Sequence, residues 1–464
     1  MRISNFATLW LVSFSIAAAA DVAKEAEKPR NVLMLVADDL GGGDLGCYGH
    51  PVIRSPNIDA LAAQGTRFSH AFATTASCSA SRSVLYTGLH NHANGQYGHA
   101  HAEHNFHQRP SVQTVFMLLK DQGYRTGLIG KRHVLPDEKY PIDFEPKVNA
   151  RNPEKMTQLA NEFLTDDDPR PFFLVLGFVE PHRAAHGFGE EPAPKTAAKY
   201  SPEEAKVPHF LPDNAESRAE LAEYYQAISR LDRSVGKVLE SLKRSGKWDD
   251  TLILFLSDNG MPFPGAKTNV YEPGVRLPLI VRSPESKKRG IVNSAMISFT
   301  DITPTILDWA KAKPPTNYRF HGRSFLEIVD QENPEGWNEV FLSHTFHEVT
   351  MYYPMRGIRN RRFKYIWNIA APLTFPHASD LFASPTWQRV WSRKEPKYGS
   401  RTVDKYLHRD EFELYDLDAD PRELVNLADD PKYRSVREEL AGKLKRFQTE
   451  TEDPWNVRYE YGTE

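Results

Sequence analysis

Residues 31–39 read Asn31-Val32-Leu33-Met34-Leu35-Val36-Ala37-Asp38-Asp39, and this stretch decides the fold. After Asn31 every position to Ala37 is apolar, and the run lies between Arg30 and two aspartates. A half-exposed strand or an amphipathic helix would interleave polar residues, so a short continuous apolar run reads as a strand buried on both faces. Residues 126–129, 172–179, 251–256 and 277–281 form similar runs. Helical patterns alternate with them. Residues 115–122 close at Gly123, and residues 217–245 close at Gly246 with Leu221, Tyr225, Ile228, Leu231, Val235, Val238 and Leu242 on one face. Alternating strands and helices predict an α/β fold: a large, mostly parallel sheet sandwiched by helices.

The residues just past those strands carry the chemistry. The first run ends in Asp38-Asp39, the second in Gly130-Lys131-Arg132-His133, the third in Glu180-Pro181-His182-Arg183 and the fourth in Ser257-Asp258-Asn259-Gly260. In open parallel sheets ligands bind beyond the carboxyl ends of the strands. Any one of these motifs could be turn or capping chemistry; four on one sheet edge point to a site. Asp38, Asp39, Asp258 and Asn259 are hard oxygen donors, which suit calcium, or magnesium as second choice, over zinc. Without a cation the three carboxylates would raise one another's pKa.

Ser77-Cys78-Ser79-Ala80-Ser81-Arg82 supplies a nucleophile. Residues 79–89 read as a short helix closing near Gly88, so position 78 sits at its N-terminus, where backbone N–H groups and the helix dipole favour an anion. Arg82, one turn on, can reach the same group.

Composition narrows the partners. The chain of 464 residues has room for two or three domains, and a formal net charge of −3 argues against nucleic acid or an anionic membrane surface as partner. Arg2, an apolar stretch from Phe6 to Ala18 and Ala18-Ala19-Ala20 before Asp21 predict a cleaved signal peptide over residues 1–20, hence an exported protein with no membrane anchor. Of the two cysteines, Cys47 is expected to be a buried free thiol, with a Cys47–Cys78 disulfide as the alternative. His90, His92, His99, His101, His104 and His107 lack a zinc-ligand spacing and read as a solvated loop lining the pocket, with His92 and His99 the candidates for substrate contact. A second domain is expected over residues 346–464: strands near 362–367 and 412–415 make a small antiparallel sheet, and an amphipathic helix over 433–449 packs on it through Val436, Leu440, Leu444 and Phe447. His347 and Glu348 lie beyond the main sheet, either as candidates to cap a substrate or in a loop that docks the second domain.

The motifs together resemble the type I sulfatases of the alkaline phosphatase superfamily, and within them the heparan N-sulfatase (sulfamidase) group. The resemblance runs through Ala37-Asp38-Asp39, Cys78 to Arg82, Thr87-Gly88-Leu89, Lys131 to Val134, Pro181-His182-Arg183, Ser257 to Gly260 and the C-terminal Glu413-Leu414-Tyr415-Asp416-Leu417. Met261-Pro262-Phe263-Pro264, Thr268-Asn269 and residues 347–356 point to the sulfamidase group. The resemblance implies a catalytic domain over residues 21–345 and oxidation of Cys78 to formylglycine by a formylglycine-generating or anaerobic sulfatase-maturing enzyme. Position 78 would then be a calcium ligand with Asp38, Asp39, Asp258 and Asn259, and its hydrate would attack sulfur to give a covalent sulfo-enzyme. Arg82 would stabilise the hydrate. Lys131, His182 and Lys267 would bind the sulfo group, and a proton-bearing His182 would act as general acid. His133 would take the proton when sulfate is expelled. The implied substrate is non-reducing-end N-sulfoglucosamine in heparan sulfate or heparin fragments, and the implied location is periplasmic or secreted, lysosomal in a eukaryote. A homodimer stays open. Ala80 replaces the commoner proline of the maturation motif. Lys267 stands where the sulfamidase pattern has arginine, which forfeits a bidentate fork. The alternatives are an O-sulfatase, for example on glucosamine 6-sulfate, a phosphonate or phosphodiester hydrolase on the same scaffold, and a sulfated-glycan binding protein without turnover.

Overall fold

A computed structural model describes residues 30–184, 187–188 and 199–456; the expected signal peptide lies outside the described residues. The opening run forms β1 (Asn31–Ala37), every residue of it buried. It belongs to a seven-stranded sheet with β2 (Thr66–Phe72), β3 (Arg125–Gly130), β4 (Phe172–Gly177), β5 (Thr251–Ser257), β6 (Arg276–Arg282) and β7 (Ile291–Ser298), in the order β3-β4-β1-β5-β6-β2-β7. Only β6 runs antiparallel to its neighbours, so the sheet is mixed and mostly parallel.

The pleat of β1 divides the core in two. Leu33, Leu35 and Ala37 face one layer of helices and Val32, Met34 and Val36 the other. On the first face lies the helix Ala215–Arg244, roughly 45 Å long at 1.5 Å per residue. All seven of its expected core residues, Leu221 to Leu242, pack into that cluster. The helix starts two residues before the expected bound because the Asn214 side chain accepts the Ser217 N–H and caps it there. On the opposite face lie the helices Cys78–Thr87, Val115–Asp121 and Ile302–Trp309. Cys47 is free and half-buried, so neither full burial nor a bond to Cys78 is found; its backbone N–H donates to Asp59 Oδ1.

The second sheet is antiparallel throughout, built from β8 (Glu339–His344), β9 (Met355–Asn360) and β10 (Phe363–Asn368). Past a two-residue ladder of β11 (Lys397–Tyr398) and β12 (Arg401–Thr402), β13 (Phe412–Asp416) completes it in the order β13-β10-β9-β8. Its first strand begins at Glu339, ahead of residue 346. The helix Arg434–Glu450 covers it: Leu440 and Leu444 are buried with Ile358, Tyr365 and Leu414, and Phe447 stacks on Phe341 with ring centroids 3.9 Å apart. No helix of the described residues is long and apolar enough to cross a membrane.

Candidate active site

The ends of β1, β3, β4 and β5, four adjacent parallel strands, bring their motifs to one place. Backbone bonds align them: Asp38 N–H donates to Glu180 O (3.2 Å), Asp258 N–H to Ala37 O (3.1 Å) and Lys131 N–H to Gly177 O (2.7 Å). Gly177 permits that last approach, since a Cβ there would lie 2.1 Å from Lys131 O and 3.0 Å from the Arg82 guanidinium. Asp39 turns the chain at φ 66° and donates its N–H to Asp258 Oδ1 (3.2 Å).

Cys78 opens the helix Cys78–Thr87, wholly buried, with Sγ 3.8 Å from Asp39 Oδ1. Burial lifts its pKa well above the ordinary value, so as a thiol it stays protonated and a poor nucleophile. Arg82, also wholly buried, donates from Nε to Asp258 Oδ2 (2.7 Å) and from Nη1 to Lys131 O (2.8 Å). Lys131 Nζ donates to Asp38 Oδ2 (2.6 Å). Lys267 Nζ donates to Asp39 Oδ2 and Asp380 Oδ2, each at 3.0 Å, and lies 3.4 Å from His182 Nε2.

The electrostatics follow from that packing. Burial opposes ionisation of Asp38, yet Lys131, His182 and Arg82 together hold its carboxyl well below the usual carboxylate range. Burial and the neighbouring Asp38 push Asp258 up. Burial works against the Lys267 charge, but Asp380 and Asp39 outweigh it and the ammonium persists. His182 Nδ1 lies 2.6 Å from Arg183 O, and because a carbonyl only accepts, Nδ1 carries the proton. Burial and Lys267 lower the His182 pKa, which favours the neutral ring with Nε2 facing Lys267.

The donor set fits a hard divalent cation. Asp38, Cys78 and Asp258 each offer a ligand atom within 4.8 Å of the others. Asp38 Oδ1 and Asn259 Oδ1 are buried without a hydrogen-bond partner. Asn259 instead donates its amide to Asp39 Oδ1 (2.6 Å), and a half-turn of that amide aims Oδ1 at the carboxylates. Uncompensated buried acceptors beside mutually repelling carboxylates are what a bound cation resolves.

Above this floor a cavity of 340 Å³ is lined by His99, His101, His104, Lys131, His133, His182, Lys267, His347, Glu348, Ser379 and Asp380. His99 and His347 rings approach to 3.9 Å, and His347 Nδ1 lies 2.8 Å from the Oγ of Ser77, which precedes Cys78. Glu348 Oε1 accepts from the Ser379 N–H (2.8 Å) and Oγ (2.6 Å), tying the C-terminal segment to the cavity wall. His92 lies elsewhere, a correction to the expected substrate contact. It is buried, with Nε2 2.9 Å from Thr451 Oγ1 and its ring against His90 and Phe447, because the short helix Asn91–Asn94 turns it under the C-terminal helix. The histidine run is accordingly not one solvated loop. His90, His92 and His99 are buried, His101 and His107 exposed. Asp380, from the short helix Ser379–Phe382, was missed; an isolated aspartate 113 residues from Lys267 carries no local signal.

Residues 30–312 match the sulfatase family model, and residues 266–377 match a model described as the C-terminal part of N-sulphoglucosamine sulphohydrolase. Human N-sulphoglucosamine sulphohydrolase is 40% identical, over 92% of this chain and 91% of that protein. An ulvan-active sulfatase of Formosa agariphila is 30% identical over 89% of this chain and 79% of that one. Among solved structures, one in complex with its substrate D-glucosamine-2-N,6-O-disulfate superposes with a TM-score of 0.69 at 22% identity, over 92% of this chain and 99% of that one. Phosphonate monoester hydrolase of Agrobacterium radiobacter superposes with the same score at 21% identity, over 91% and 96%.

Proposed function

Because the chain belongs to the sulfatase family, we propose that it hydrolyses the N-sulfate of non-reducing-end N-sulfoglucosamine in heparan sulfate or heparin fragments, as an exported enzyme. The observation that carries the N-sulfate reading is the match of residues 266–377 to the C-terminal model of N-sulphoglucosamine sulphohydrolase, a segment that contributes Lys267, His347 and Glu348 to the cavity. Asp38, Asp39, Asp258, Asn259 and the group at position 78 would hold a divalent ion, calcium in this reading, which supplies Lewis-acid charge to the sulfo oxygens. Oxidised to formylglycine, position 78 supplies a hydrated aldehyde with one hydroxyl to attack sulfur and a second to expel sulfate.

The chain's own side chains do the rest. Lys131, half-buried, and Lys267, buried, bind the sulfo group and offset its charge in the transition state, as does the N-terminus of the helix that begins at Cys78. Arg82 favours the ionised form of Asp258 against burial and Asp38, and steadies the group at 78 through the same rigid guanidinium. His182, with Nε2 turned toward Lys267, gains a proton once the bound sulfo anion raises its pKa and passes it to the leaving nitrogen, while Lys267, 3.4 Å away, keeps its charge. His133, neutral because burial and Lys131 lower its pKa, accepts the proton released on sulfate expulsion. His99, His347 and Glu348 wall the sugar.

The test is sulfate release from a defined N-sulfated disaccharide, with Cys78→Ala and with glucosamine 6-sulfate as comparisons. Rapid release by the matured enzyme, none by the variant and little from the 6-sulfate is expected; equal release by variant and parent sinks the mechanism.

A further inference from the structure

We infer that His99, His101 and His133 form a second metal site at the cavity entrance, selective for a divalent transition-metal ion, Zn²⁺ foremost. One ring nitrogen from each lies within 4.8 Å of the others. Ligand nitrogens on a tetrahedral Zn²⁺, at about 2.0–2.1 Å from the ion, stand about 3.4 Å apart. The closest pair, His101 Nδ1 and His133 Nε2, is 2.6 Å apart, so an ion between them needs a separation of under about 1 Å more.

A second observation points the same way. His99 Nδ1 is buried without any hydrogen-bond partner, a costly arrangement unless something binds there. The rings are held in place beforehand. His99 N–H donates to His347 O (2.9 Å), Phe106 N–H to His99 O (3.0 Å) and Ala100 N–H to Ser79 Oγ (3.1 Å), while His133 is turned off the end of β3 at φ 61°. His101 is exposed and gives the ion a way in. Burial lowers the pKa of all three histidines, most strongly those of His99 and His133, so their lone pairs are free at neutral pH. His104 stays outside the set through Nδ1, which accepts the Val349 N–H (3.2 Å).

The two sites sort ions by donor type. Imidazole nitrogens select Zn²⁺, Cu²⁺ or Ni²⁺, while the carboxylate floor keeps Ca²⁺. The histidine spacing conceals the site because only His99 and His101 are neighbours in sequence; His133 arrives from the next strand end. An ion there removes the His133 lone pair, so it blocks turnover, a consequence that rests on the proton-accepting role proposed for His133.

Co²⁺ titrated into the protein in excess Ca²⁺ tests the site through its visible ligand-field band. A saturable band displaced by Zn²⁺ is expected. His101→Gln should weaken it by at least about 10–100-fold, the loss attributed to removing even an outer partner of a metal ligand, while His107→Gln should leave it unchanged. A band equally strong in His101→Gln, or one abolished by raising Ca²⁺, overturns the inference. A band that behaves as expected while Zn²⁺ leaves turnover untouched upholds the site and overturns its link to His133.

Discussion

Lys267→Ala removes a buried cation whose charge is shared among three groups. Its Nζ sits 3.0 Å from Asp39 Oδ2, 3.0 Å from Asp380 Oδ2 and 3.4 Å from His182 Nε2, and the residue is 1% exposed. A unit charge about 4 Å from a sulfo anion, at an effective dielectric constant of about 20, contributes about 4 kcal/mol, or nearly three powers of ten in rate. Asp39 and Asp380 neutralise part of that field, which brings the expectation into the range of about 10²–10³ found when one preorganised oxyanion donor is lost. The expected outcome is a fall of that size in kcat/KM on an N-sulfated disaccharide. Lys267→Arg should stay within about tenfold of the parent, because a guanidinium keeps the charge and adds a bidentate fork. Steady-state kinetics on both variants, with thermal melts to confirm folding, make the comparison. A folded Lys267→Ala enzyme within about tenfold of the parent refutes the role given to Lys267.

Asp380→Asn removes the strongest attraction holding the proton on Lys267, so the basic limb of the kcat/KM profile should move to lower pH; an unmoved limb assigns Asp380 no part in the site. Chelation should lower the melting midpoint and Ca²⁺ restore it, by about 2.7 kcal/mol at a hundredfold excess over Kd; a melt indifferent to chelator rejects the carboxylate floor as a cation site. Burial opposes ionisation of Asp453, but Arg356, donating to it at 2.5 and 3.0 Å, lowers its pKa from 3.8 to about 2. A depressed carboxyl pKa stabilises the fold above the unfolded value. About 2 kcal/mol should therefore be lost as pH falls from about 4 to about 2, and Asp453→Asn should flatten that slope in urea titrations.

The strands of the seven-stranded sheet found directly from sequence are those with continuous apolar runs. β2, β7, β8 and β9 escaped because polar residues such as Ser69, His70, Asn293, Arg356 and Arg359 interrupt their apolar runs. Two of those polar groups also find partners far along the chain: Arg356 at Asp453, and Asn293 at the Ile328 carbonyl (2.7 Å). A strand whose polar side chains bond across the fold has no local signature.

What the sequence by itself determined is the floor of the site. Asp38, Asp39, Lys131, His133, His182, Asp258 and Asn259 each follow a buried strand, and Cys78 begins a helix; sheet geometry alone gathers strand ends on one edge. Only the tertiary structure decided the walls. His92 and His99 are seven positions apart in one histidine run, yet one is packed under the C-terminal helix and the other faces the cavity. Lys267 meets Asp380, and His101 meets His133, through the folding of loops that no periodicity governs. Regular elements repeat their side-chain directions, so their ends are legible from residue pattern. Loop side chains are aimed by the particular contacts that hold each loop, and those exist only once the chain has folded.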